Sequence, residues 1–400
     1  MTLIHTLESW TARPPSPTFD VSLLTNRESI VAIEPTWEKL LDVTDNLDVT
    51  FQTPAWFDHV RSTRPTAVLV HHASRGGVDG VIPIVKDVET LEFVAARYMV
   101  GRVDVHAAHI LGSLPLLPED LDVFDHSLAA IDAWADDCDC ISLPVVPRES
   151  FTWRYLQTSD FVRDRYRTYV PLDPGAGHVH VIDLPATFDR YVADLGAKRR
   201  ANFKRKINVL VKNGKPPLLR EFSAPADVPA FLEVARGIAQ KTWQRAMGVD
   251  HFCPTVDWTK KLTDLAERGV WRSFVLYCGD TPAAFGLGYQ DRGVFHFRST
   301  GFDSELASLS PGTVLMYMML RDVLATRAPR RLCFCFGDAA YKRNFSNARK
   351  ETVRVLLFRR TPRNDLLCYA HGGFRALVRT TKAALTRVSP ERFAAAFDPQ

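Results

Sequence analysis

Neither a GxxxxGK[ST] loop nor a GxGxxG run occurs in these 400 residues. The backbone cradles that kinases and dehydrogenases build around nucleotide phosphates are therefore not signalled. A Gly-x-Ser-x-Gly elbow is also missing, and no Ser/His/Asp grouping stands out. The first twenty residues hold no basic segment followed by an apolar core, so no secretory leader is expected. No apolar run approaches the ~18–20 residues needed to cross a bilayer. Seven cysteines spread over the chain make no disulfide framework and fit a reducing compartment, and the expected location is the cytoplasm. A net charge of only +4 argues against general DNA binding.

What is present is an ordinary globular composition, 46% apolar and 24% charged, long enough for two cores. Residues 1–18 are rich in proline and serine and read as a loose tail. A strand at FDVSLLT precedes a helix around Pro35–Asp45, with Pro35 suited to its first turn. AVLVHHAS and GVDGVIPIV pair as a hairpin around Gly76-Gly77, and TLEFVAA is a further strand. Leu121–Ala135 is an amphipathic helix, and CDCISLPVV is a strand. After a linker at residues 170–178, the layout repeats. HVHVIDL is a strand, Thr187–Asn213 a long helix, and Ala226–Trp243 and Val256–Arg268 two more. Three strands joined by tight turns follow, then a helix, LCFCF and TVRVLLFRR.

The stretch from Ser308 to Phe345 concentrates the chemistry. In SPG, Pro311 fixes φ and Gly312 admits unusual backbone angles, and Val314, Leu315, Met318, Met319 and Val323 then recur at helical spacing. The helix thus begins at the loop. N–H groups from Ser310 through Gly312 and Thr313 to Val314 offer an anion site at the positive end of the helix dipole. The buried strand LCFCF then empties into Asp338, Tyr341 and Lys342, where a rigid strand end could hold a proton acceptor and a proton donor. An ordinary loop and a polar turn are the bland alternatives.

Between Arg190 and Arg220 stand ten basic residues and one acidic residue, Asp194. So one-sided a helix repels itself unless an anion lies nearby. Its apolar stripe, Val192, Leu195, Phe203, Ile207 and Leu210, is interrupted at Arg199, which would then face inward. Arg199 and Arg200 are the candidate ligand cations, and the other lysines read as a solvated face. The pairs Cys138/Cys140 and Cys333/Cys335 are spaced C-x-C, closer than structural zinc sites favour, and no histidine lies near them in sequence. Packing is the expected role, and no metal is expected. The tail from Gly372 to Phe393 is basic and amphipathic. It packs on its own domain, with contact to an anionic membrane surface as the minor reading.

FQTPAWF, YVADLGAKRRANFKRKINVL, KTWQRAMG, TPAAFGLGY, STGFDSELASLSPGTVL and FGDAAYKRNFS, in this order, resemble the CelD/BcsL-like acyltransferases of the GNAT superfamily, relatives of the Fem-type peptidyl transferases. The resemblance spans roughly residues 20–360 and is best over 185–350. It implies an α/β (α+β) chain of two tandem GNAT-like domains, each a mixed, mostly antiparallel sheet flanked by helices. The domains would cover 19–170 and 178–362, with a basic tail from 363 to 400. It implies acetyl-CoA or another acyl-CoA as donor, bound by Ser310, Gly312, Thr313, Val314 and Lys342. Asp338 and Tyr341 would be catalytic, while Arg199, Arg200, Asn202 and Trp243 would bind substrate. The usual GNAT glycine pattern Q/R-x-x-G-x-G/A is absent, so fewer glycines would cradle the cofactor. The implied activity is N-acyl transfer to the amine of a small molecule, amino sugar or amino acid. The alternatives are a Fem-like transfer from aminoacyl-tRNA and a non-catalytic, ligand-binding GNAT scaffold.

Overall fold

The protein is described here by a computed structural model covering residues 20–73, 76–95, 98–171, 177–242, 252 and 256–388. The first half runs β1 (Asp20–Leu24), α1 (Arg27–Val43), α2 (Pro54–Arg61), β2 (Thr66–His72), β3 (Val78–Ala95), β4 (Tyr98–Ile110), α3 (Leu121–Trp134), β5 (Cys140–Pro147), α4 (Phe151–Thr158), α5 (Asp160–Arg165) and β6 (Tyr166–Tyr169). The second half begins with β7 (His178–Asp183), α6 (Phe188–Asp194), α7 (Ala197–Lys212), β8 (Pro217–Phe222), α8 (Val228–Ala239) and α9 (Val256–Glu267). It continues with β9 (Ser273–Cys278), β10 (Thr281–Asp291), β11 (Val294–Phe302), α10 (Pro311–Thr326), β12 (Arg331–Phe336), α11 (Ala340–Phe345), β13 (Ala348–Arg359) and α12 (Pro362–Val388).

All thirteen strands join one mixed sheet in the order β1-β2-β3-β4-β5-β13-β7-β12-β11-β10-β9-β8, with β6 also on β13. The pairs are antiparallel except two. β4 runs parallel to β5 and β11 parallel to β12, each over three residue pairs. In both halves a single helix, α3 or α10, makes the crossover that a parallel pair requires. The layout therefore repeats across the two halves, as expected from the sequence. β13 joins them: Ala348–Glu351 pair with β7, and Thr352–Phe358 pair with β5. Apolar packing crosses the same seam, because Trp56, Val60 and Val85 share a core with Phe231, Trp271 and Tyr289.

Several elements differ from the sequence reading, each for a local reason. Helix α1 starts at Arg27, where Asn26 accepts the Ser29 N–H at 2.8 Å, and Pro35 lies inside it. GVDGVIPIV and TLEFVAA are one strand, β3, of 18 residues. Its partner β4 carries mostly exposed or half-exposed residues over its first half, so it shows no apolar pattern to read. The long helix expected over Thr187–Asn213 is two helices. Leu195 and Gly196 take extended ψ values of 140° and 148°, which breaks the chain between α6 and α7. The polar turn after β12 contains the short helix α11. Helix α12 packs on the sheet: His371 donates to or accepts from Tyr169, and Phe374 meets Phe93 edge-on. Among the described residues, no helix is long and apolar enough to cross a membrane.

Candidate active site

The loop before α10 leads directly into the helix, with the strain in an unexpected place. Ser310, not Gly312, takes the left-handed conformation, at φ 55°. Pro311 follows as the first helical residue, where its missing N–H costs nothing. The Ser310 N–H donates to Ala307, and the Thr313 and Val314 N–H groups both donate to the Ser310 carbonyl. Of the five amides expected to cradle a phosphate, three thus have backbone acceptors and Pro311 has none to offer. A Cβ on Gly312 would meet Phe302 at 3.5 Å, an ordinary contact.

Side chains complete the site. Lys206 of α7 donates to Thr313 Oγ1 at 3.0 Å, across a cleft of about 810 Å³ between α7, α10 and α11. Arg199, Asn202, Phe203 and Tyr341 line the same cleft. Stacked rings of Phe203 and Phe345, 4.8 Å apart, support it from beneath. Burial, and then Arg205, holds the Lys206 ammonium below its usual pKa range. Strands β11 and β12 separate at this level. They are paired only at Val294–Arg331, Phe295–Leu332 and His296–Cys333. On its other edge β11 bulges: Leu287 faces Ser299 and Gly288 faces Phe297, which leaves Arg298 as an extra residue.

On the other side of the parting lies a second cavity, of about 380 Å³, between the halves. Arg298, Cys333 and Cys335 line it from the second half, and Asp48, Trp56 and His109 from the first. Burial raises the Asp48 carboxyl to about 6. The cysteine pair was visible in the sequence, but Asp48, Trp56, His109 and Arg298 escaped that reading because they come from distant segments.

Residues 197–343 match the family model for the acetyltransferase (GNAT) domain. This chain carries a GNAT domain. Its whole architecture is similar to the crystal structure of FemX, at 10% identity and a TM-score of 0.56, over 84% of this chain and 97% of that one. A conserved protein of unknown function from Bacteroides thetaiotaomicron matches at 14% identity and a TM-score of 0.52, over 84% and 100%. Both likenesses are of fold. No curated protein matches the chain by sequence.

Within the GNAT domain the expected residues take distinct positions. Asp338 at the end of β12 receives hydrogen bonds from Arg343, at 2.8 Å, and from His180 Nε2, at 2.9 Å. Arg343 first, and His180 after it, hold its carboxyl below the usual range, so it is an ionised, paired carboxylate. His180 reaches Ser346 through its other nitrogen at 3.2 Å, a Ser/His/Asp chain assembled from β7 and both ends of α11. Tyr341 packs edge-on against Phe334, and burial raises its pKa, which keeps the phenol protonated. Lys342 is buried, and its ammonium donates to the Phe336 carbonyl, which ties it to the strand end.

The two arginines separate. Arg199 is exposed at the cleft, not inward, because the break at Gly196 resets the helical phase. Arg200 donates to the Ala193 carbonyl at 2.9 Å and to the Leu195 carbonyl, closing the C-terminus of α6. Asn202 lines the cleft and accepts from Arg205 at 3.1 Å. Trp243 lies outside the described residues.

Proposed function

We propose that this protein is an N-acyltransferase that moves an acyl group from an acyl-CoA to an amine of a small-molecule acceptor. The observation that carries this reading is the parting of β11 from β12 beside the N-terminus of α10, with an open cleft on one side and a cavity on the other. The cofactor's phosphates lie in the cleft against Lys206, Arg199, the Thr313 hydroxyl and the Gly312 N–H. Its pantetheine arm passes between the parted strands in place of the missing sheet bonds. Asn202 and Phe203 line its path. Lys342 stays a structural support of the strand end.

The acceptor amine attacks the thioester carbonyl, which builds negative charge on oxygen. Backbone released from the ladder at the Arg298 bulge supplies a donor to that oxygen. As the tetrahedral intermediate collapses, the protonated Tyr341 gives its proton to the CoA thiolate and takes up the proton that the acceptor nitrogen loses. Asp338, ionised and paired, orients the acceptor side of the site through His180. Most of the acceleration comes from holding both partners in line.

Titration calorimetry with CoA and acetyl-CoA tests this. Binding of CoA with micromolar affinity or better supports it, and absence of any CoA binding rejects it. A second reading, transfer from aminoacyl-tRNA, is favoured by the ten basic residues on and around α7 together with the FemX-like fold. Binding of tRNA that falls steeply with salt, without CoA binding, would select it.

A further inference from the structure

We propose that His296, Cys333 and Cys335 form a zinc-binding site at the point where β11 and β12 part, with one coordination position open to the cavity between the halves. This goes beyond the acyl-transfer reading and does not depend on it. One nitrogen and two sulfurs from these residues all lie within 4.8 Å of one another. Tetrahedral zinc with two thiolates and an imidazole needs such a cluster, closed in slightly on the ion.

The backbone explains how a C-x-C pair becomes a chelate. In a regular strand, residues two apart share a face but are held at nearly the full rise of two residues. Here Cys335 takes φ 54°, in the left-handed region, and the pairing of β12 with β7 slips between Cys333 and Phe336. That kink folds the second sulfur back toward the first. A non-glycine residue in this conformation is costly and marks a site where something else compensates. The Cys335 N–H also donates to Cys333 Sγ at 3.4 Å, the kind of bond that steadies a thiolate ligand.

His296 supplies the independent observation. It is fully buried, and among the described residues its ring nitrogens face no side chain that hydrogen-bonds them except the Cys335 thiol of the same cluster. A buried imidazole with so few partners is destabilising, and an ion in front of it removes that cost. Phe51 packs on its ring at 4.7 Å between centroids and keeps it oriented. Two thiolates neutralise a divalent ion, and thiolate with imidazole is the donor set that selects zinc over magnesium or calcium. Cys333 and Cys335 both line the cavity, as does the Asp48 carboxyl, so the fourth position opens there. The ion would bridge β11 to β12 where their ladder ends.

The test uses the full-length chain purified under reducing conditions. Elemental analysis should find stoichiometric zinc, and replacement by cobalt(II) should give a thiolate-to-cobalt charge-transfer band. Cys335→Ser and His296→Gln should each lower zinc affinity at least ~10-fold, whereas Cys278→Ser, a buried thiol elsewhere, should retain it. Should a variant fail to fold, the cobalt spectrum of the wild-type chain decides alone. Wild-type protein with neither zinc nor the cobalt band overturns the proposal, and so does full metal retention in Cys335→Ser.

Discussion

Lys206 and Thr313 meet at 3.0 Å, across 107 residues of sequence, and tie the basic helix α7 to the first turn of α10. Both line the cleft between α7, α10 and α11. An anion there exchanges a neutral hydroxyl partner of Lys206 for a charged one, and a charge-assisted bond is roughly twice as strong. Replacing Lys206 by glutamate should weaken CoA binding by about 100-fold while the melting temperature stays nearly constant. Calorimetry beside a thermal melt measures both. Unchanged CoA affinity would remove Lys206 from the site.

Asp338 anchors a chain of bonds and touches no cleft wall directly. Asp338→Asn keeps the shape and removes the charge that Arg343 and His180 share. Turnover should fall by about 10-fold or more, with the dissociation constant of CoA within about twofold. Equal losses in both, or in neither, would contradict the orienting role. Acid sensitivity follows from the same pair. A depressed folded-state pKa stabilises the fold above the unfolded carboxyl value and loses that contribution as pH falls through the folded value. The variant should therefore show a shallower loss of stability on the acid side.

Arg200 and Arg199 are neighbours with separable duties. Arg200→Ala removes the donor from the Ala193 and Leu195 carbonyls and should destabilise the protein by about 1 kcal/mol, leaving CoA affinity unchanged. Arg199→Ala should do the reverse. Chemical denaturation and ligand titration on the two variants distinguish them. A loss of CoA affinity in Arg200→Ala would return that residue to the ligand.

Lys261 lines the cavity between the halves, with its ammonium 4.8 Å from the Trp56 ring centre. Burial first, then Arg298 and Arg64, lowers its pKa to about 8. A lysine with a lowered folded-state pKa binds fewer protons folded than unfolded between about 8 and the ordinary value. Stability due to this group must rise with pH across that window. Below the window the full penalty applies. Lys261→Met should raise stability at neutral pH by on the order of 2 kcal/mol and flatten the profile above pH 8. Melting temperatures from pH 7 to 10 measure it, and an unchanged slope would exclude the effect.

The repeated layout, the strand LCFCF, the helix after SPG and the basic run were legible in the sequence. Each rests on local periodicity or composition, which neighbouring residues along the chain carry by themselves. Arg199 was legible as a cleft residue but not in its orientation. One glycine at 196 breaks the helix, and the inward stripe assumed an unbroken one. Strand β4 was not legible, because half of it faces water and its pattern comes from pairing with β3.

The sequence by itself determined that this chain starts a helix at Pro311 and builds a basic wall, because turns, caps and charge density act over a few residues. Tertiary structure alone decided what meets what. It set Lys206 against Thr313 and turned Asp338 from a free carboxylate into a paired one. It also brought His296 to two cysteines 37 and 39 residues further on. Such contacts depend on where β11 and β12 separate, and that is fixed by sheet register and packing across both halves, which no local stretch encodes.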